Sequence, residues 1–120
     1  MSVVLFMTID VDTNMGSFDE VTQAAFPPAG VERMLALPTL QWKIWLTDPA
    51  NSQVGGLYLF AAREAAEAYA EKSAENIRQR PGISGVKCQI WTISEEKTRL
   101  TMGPIDVPQI KDHMRSMGGT

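Results

Sequence analysis

Hydrophobic and polar positions alternate clearly in four stretches of the chain. In residues 3–11, VVLFMTIDV, Leu5, Met7 and Ile9 point one way and Phe6, Thr8 and Asp10 the other. That two-residue period, closed by Asp12-Thr13-Asn14, predicts a strand with one core face. Ser17 with Glu20 three positions later is a capping-box pattern, so a helix is expected to start near 18. Pro27-Pro28 breaks it, because proline lacks the amide hydrogen and crowds the preceding turn. A second helical piece can start at Pro28 and stop at Pro38.

Residues 39–47 and 53–61 read as two more strands, joined by the turn cluster Asp48-Pro49-Ala50-Asn51-Ser52. Residues 63–80 change to the helical period, with Ala62, Ala65, Ala66, Tyr69 and Ile77 near one face. Glu64 and Glu67 lie near its start and Arg78 and Arg80 at its end, as the helix dipole favours. Pro81-Gly82 ends it, and residues 84–94 form a fourth strand. The order β-α-β-β-α-β predicts an α+β, ferredoxin-like domain over residues 1–95 with an antiparallel sheet. Residues 96–120 are expected to be a C-terminal tail packed on a dimer, with a short helix over 108–116.

Alternation divides the four strands into two sets of side chains. Leu5, Met7, Ile9, Leu40, Trp42, Ile44, Leu46, Leu57, Leu59, Val86, Cys88 and Ile90 are almost purely aliphatic and are expected beneath the helices. Phe6, Asp10, Lys43, Trp45, Gly56, Tyr58, Phe60, Lys87, Gln89 and Trp91 belong to the second, mixed set and are expected on the open face. So much aromatic area is not normally left in water. A second copy of the chain packed face to face would cover it, giving a homodimeric α/β barrel with an aromatic interior.

Within that interior Lys43 is the most informative residue. A lysine between Trp42-type and Trp45-type neighbours costs energy if buried unpaired. Its stem can snorkel while the ammonium pairs with Asp10 or a partner-chain carboxylate; alternatively it holds a phenolate or enolate, since a nearby cation favours an anion. Trp45 and Tyr58 are either interface packing or the walls of a pocket for a planar aromatic ligand. Trp42 is expected in the core. Gly55-Gly56 is too short for a phosphate loop and suggests a bulge or a close backbone approach. Cys88 reads as a buried, inert thiol. His113 is the only histidine and lies in the tail, so neither a metal cluster nor a catalytic dyad is expected, and a haem degrader would lack its axial histidine. Met102, Met114 and Met117 could line a lid.

Composition narrows the function classes. The chain has 120 residues, enough for one domain with its own core. A net charge of −3 argues against nucleic acid and anionic membranes as partners. The single cysteine allows no intrachain disulfide, no apolar run is long enough for a spanning helix, and the N-terminus lacks a basic signal region. A cytoplasmic location is the expectation.

The words "WKIW", "GGLYLF" and "AYAEK" within this order resemble the YdhR-like monooxygenases of the dimeric α/β-barrel superfamily, which includes antibiotic-biosynthesis monooxygenases. The resemblance spans roughly residues 3–104 and is most specific from Pro38 through Trp45, from Gly55 through Phe60, and at Ala68-Tyr69. Leu100-Thr101-Met102-Gly103-Pro104 matches the family's Leu-Thr-Arg-Gly-Pro ending with methionine in the arginine position. Thr39 stands where relatives tend to have glycine, and Pro27-Pro28 is a further departure.

The resemblance implies a homodimer and a cofactor-independent oxygenase acting on a small phenolic substrate with O₂. Lys43, Tyr58 and Asp10 are the candidate catalytic residues. Trp45, Phe6, Phe60, Gln89 and Trp91 are the candidate substrate contacts, and no cofactor or metal is expected. A non-catalytic binding dimer, or an isomerase or decarboxylase with Asp10 as base, are the alternatives.

Overall fold

The computed structural model describes residues 1–113. Four antiparallel strands form one sheet in the order β2-β3-β1-β4: β1 (Val3–Val11), β2 (Leu40–Asp48), β3 (Gln53–Phe60) and β4 (Ile83–Thr92). Helices α1 (Phe18–Ala25), α2 (Ala29–Leu35) and α3 (Arg63–Arg78) connect them, and α4 (Glu95–Leu100) follows β4. The order is the ferredoxin-like one. Helix α4 falls in the stretch expected to be tail; of the helix expected over 108–116, residues 108 and 109 are not helical, 110–113 are, and 114–116 lie outside the described residues.

Local chemistry sets the helix ends. The Ser17 hydroxyl accepts from the Glu20 amide at 3.1 Å, and the Glu20 carboxylate accepts from the Ser17 amide at 3.2 Å. Those two bonds satisfy amides that the first turn cannot pair and hold the Glu20 carboxyl below its usual range. Pro28 caps α2. Helix α3 buries Ala66, Ala70, Ala74 and Ile77, and its small side chains let it lie close over β1 and β4. Gly82, at φ +86°, turns the chain into β4 where a Cβ would run into Val21.

The core lies between sheet and helices: Val3, Leu5, Met7, Ile9, Leu40, Tyr58 and Phe60 pack against Ala66, Ala70 and Ile77. This confirms the aliphatic face of β1 and corrects β2 and β3. Residues directly opposite across a ladder share a face. Leu5 pairs with Tyr58 and Val3 with Phe60, so Tyr58 and Phe60 lie under the helices, while Leu57 and Leu59 occupy the open face with Phe6 and Val4. In β2, Leu40 pairs with Phe60 but Trp42 pairs with Leu59, so Gln41 is an extra residue. This bulge reverses the facing of everything after it. Trp42, Ile44 and Leu46 therefore lie on the open face, and Lys43 and Trp45 on the helix face.

The segment after α4 folds back onto the bulge. Gln41 Nε2 donates to the Ile105 and Val107 carbonyls at 3.3 and 2.6 Å, Trp42 Nε1 donates to the Pro104 carbonyl at 2.8 Å, and Ile105 is buried. Arg99 holds this return through three bonds to Asp106 and one to Glu95 at 2.9–3.1 Å. Met102 is exposed, while Met114 and Met117 lie outside the described residues. On the rest of the open face Ile44, Leu46 and Trp91 stay exposed, Trp91 at 62%. No helix among the described residues is long and apolar enough to cross a membrane.

Candidate functional site

Helix α3 covers β1 and β4, but the short helices α1 and α2 arch over the β2 and β3 side without filling it. A cavity of about 1000 Å³ remains there, bounded by Phe26 and Met34 above and by Lys43, Trp45 and Tyr58 below. That volume is at the upper end for small-molecule sites. Residues i and i+2 of β2 place Lys43 and Trp45 side by side, and the ladder sets Tyr58 opposite Lys43.

Lys43 Nζ sits 3.4 Å from the centroid of the Trp45 ring and 4.6 Å from that of Tyr58. Two ring faces stabilise a cation by their quadrupoles. They do not replace the water it has lost, and burial pulls the Lys43 pKa down to about 8. Among the described residues the ion pairs within range belong to Arg99, so Lys43 has no carboxylate beside it. Gly56 makes its place: a Cβ there would lie 2.7 Å from Lys43 Cε and 3.0 Å from the Tyr58 ring. At Gly55 a Cβ would collide with the Met7 carbonyl. The glycine pair thus serves close approach, within a ladder that is regular at both positions.

Tyr58 hydroxyl lies 3.3 Å from that of Tyr69, and Tyr69 donates to Met34 Sδ at 3.5 Å. The second bond uses the one hydrogen of Tyr69, so Tyr58 is the donor in the first. Burial, reinforced by Tyr69, pushes the Tyr58 pKa well above its ordinary value. Tyr58 therefore stays protonated at neutral pH and can orient a ligand but cannot act as a base. Phe60 stacks behind Tyr58, ring centroids 6.2 Å apart, and supports it from the core.

Of the residues singled out from sequence, Lys43, Trp45 and Tyr58 come together, with Phe60 behind them. Asp10, Phe6, Gln89 and Trp91 are on the opposite face of the sheet. Asp10 is exposed and accepts from Gln53 Nε2 at 2.8 Å, so it is not the counter-ion of Lys43. Phe6 borders a shallow hollow of about 160 Å³ on the open face. Cys88 packs against the core, and burial raises its thiol pKa, which keeps it protonated. Among the described residues no group of His, Cys, Asp and Glu could hold a metal ion.

Sequence reasoning missed Tyr69, Met34, Phe26 and Arg80 as cavity wall. Arg80 is anchored by a 2.8 Å bond to the Ala25 carbonyl, with its guanidinium 5.2 Å from the Phe26 ring centroid. Tyr69 alone carried a signal, being an aromatic hydroxyl on the buried stripe of α3.

Four antiparallel strands under a helical layer, with a cavity between them, place the protein among α+β ferredoxin-like folds. A monooxygenase from the gene ActVA-Orf6 of Streptomyces coelicolor, solved with Nanaomycin D, is similar at TM-score 0.56 and 15% identity, over 77% of this chain and 87% of that one. A point-mutated form of SnoaB, a cofactor-independent oxygenase from Streptomyces nogalater, is similar at TM-score 0.54 and 13% identity, over 78% and 93%. Rv0793 from Mycobacterium tuberculosis is similar at TM-score 0.58 and 10% identity, over 78% and 95%. The chain belongs to the family described as "Putative mono-oxygenase ydhR", whose model matches residues 6–104. No curated protein sequence matches it.

Proposed function

We propose that this protein is a cofactor-independent monooxygenase that oxidises a phenolic aromatic substrate in the cavity between sheet and helices. The observation that supports it is Lys43: a desolvated amine with a pKa of about 8, set against two aromatic rings and, among the described residues, beside no carboxylate. As the neutral amine it accepts the phenol proton, and as the ammonium it then faces the phenolate it has made. Trp45 stacks on the ring system, and Tyr58 donates to the developing oxyanion by turning its hydroxyl away from Tyr69.

The ionised substrate is the reductant. For an anthrone, its carbanion carbon bonds to O₂, and the resulting hydroperoxide collapses to a carbonyl. One oxygen atom stays in the quinone and the other leaves as water, so no external electron donor is needed. The protein's part is to deprotonate, orient and exclude water. The solved relatives named as a monooxygenase and a cofactor-independent oxygenase share the fold and accord with this reading.

The test is oxygen uptake by the purified protein with a panel of anthrones and hydroxynaphthalenes, without flavin or metal. Uptake matched to quinone formation and lost in Lys43→Met is expected. Tight binding with no uptake would make the protein a carrier, and turnover indifferent to O₂ would make it an isomerase or decarboxylase.

The working unit in this reading is a homodimer joined through the open face, where Ile44, Leu46 and Trp91 are exposed. Sedimentation should give a dimer at micromolar concentration, and Trp91→Ser should weaken it. A monomeric wild-type protein would remove this part of the proposal.

A further inference from the structure

The charges around the cavity are all of one sign. Arg33 from α2, Lys43 from β2, Lys72 from α3 and Arg80 just beyond α3 contribute to its lining, and no aspartate or glutamate does. The whole chain has 14 acidic and 11 basic residues and a net charge of −3, so this wall runs against the composition. Lys43 lies deep and Arg80 is partly buried on Phe26, while Arg33 and Lys72 are exposed, on separate helices over the cavity. Neither Arg33 nor Lys72 takes part in an ion pair or side-chain hydrogen bond among the described residues. A cleft with low-dielectric walls and one sign of charge concentrates ligands of the opposite sign.

We propose that the substrate is an aromatic acid: a planar phenolic ring system carrying a carboxylate, with the phenol directed to Lys43 and the carboxylate held at the mouth by Arg33 and Lys72. This assignment rests on the oxygenase reading for the phenol end, but not for the carboxylate end. A flat hydrocarbon framework fits between Trp45 below and Phe26 and Met34 above. Its acid group then meets cations whose stems are free to close on it, and the guanidinium of Arg33 can take it with two parallel bonds. The two ends of the ligand are thereby distinguished, which presents the reacting ring to Lys43 in one orientation.

The probes are a hydroxynaphthoic acid and its methyl ester, which share shape and phenol but differ in charge. Binding is read by quenching of tryptophan fluorescence at low and high salt. The acid is expected to bind roughly tenfold or more tightly than the ester at low salt, with an advantage that shrinks as salt rises. The double variant Arg33→Gln/Lys72→Gln is expected to bring the acid to the ester's affinity, and the single change Arg33→Lys, which keeps the charge but loses the paired bonds, to keep only part of the advantage. Equal binding of acid and ester by the wild type overturns the proposal while leaving the oxygenase reading intact. Preferential acid binding without oxygen uptake does the reverse. A preference that survives in the double variant also overturns it, because the acid would then be held elsewhere.

Discussion

The two halves of the sheet's helix-facing side are made of similar strands but put to different use. Under α3, β1 and β4 present Leu5, Met7, Cys88 and Ile90 to a row of alanines, and the space closes. Under α1 and α2, β2 and β3 present Lys43, Trp45, Gly56 and Tyr58, and it stays open. Helix length and side-chain size account for the contrast. Sixteen residues of α3 with small buried side chains settle flat on the sheet, whereas α1 and α2 have eight and seven residues and are interrupted by Pro27-Pro28. A shared sheet can thus carry a packed core and a chemically equipped hollow side by side.

The contrast breaks most severely at the residue that joins both halves. Phe60 is fully buried behind Tyr58, so Phe60→Ala is expected to lose about 3–5 kcal/mol in urea unfolding. A loss below about 1 kcal/mol would mean that the core does not extend under β3.

Filling the hollow should resemble overpacking. In Gly56→Ala the new methyl would displace the Lys43 stem and press on the Tyr58 ring, costing about 1–3 kcal/mol. Bound aromatic ligand should lose affinity in parallel. The same change with ligand affinity intact would place the ligand away from Lys43.

Removing the cation should act in the opposite sense. The folded pKa of Lys43, about 8, is below its ordinary 10.5, so between those values the unfolded chain holds a proton the folded one does not. Wild-type stability from this group therefore rises with pH across about 8 to 10.5 and is lowest below 8. Lys43→Met should flatten that rise and gain about 1–2 kcal/mol at neutral pH, after allowance for solvent screening of a partly exposed amine. Wild-type oxygen uptake should increase as pH passes through about 8, where the neutral amine appears.

The smallest effect lies at the start of β2. Thr39 has φ 61°, a left-handed conformation that is costly for a β-branched residue, and its hydroxyl is buried without a partner among the described residues. Thr39→Gly should stabilise the fold by about 1 kcal/mol in thermal unfolding, without altering ligand binding.

Much of this was legible in the chain because it depends on near neighbours. The capping box at Ser17, the proline break at 27–28, the alanine stripe of α3 and the period of β1 each express the local backbone. Grouping Lys43 with Trp45 and Tyr58 was also legible, since two of them are separated by one residue and the third lies across a hairpin. Which side of the sheet they occupy was not. Both faces of β3 are apolar, Leu57 and Leu59 against Tyr58 and Phe60, so alternation gives two sets without marking the inner one. Gln41 then adds a residue to β2 and inverts its later positions, and nothing local marks the bulge: its glutamine is satisfied by carbonyls of Ile105 and Val107, more than sixty residues away.

By itself, then, the sequence determined the elements from β1 to β4, their order and the company Lys43 keeps, because turn chemistry and side-chain period act over a few residues. The tertiary structure decided that this company faces a cavity beneath the helices instead of the open sheet, because register is settled by pairing with β1 and by the returning chain at Gln41.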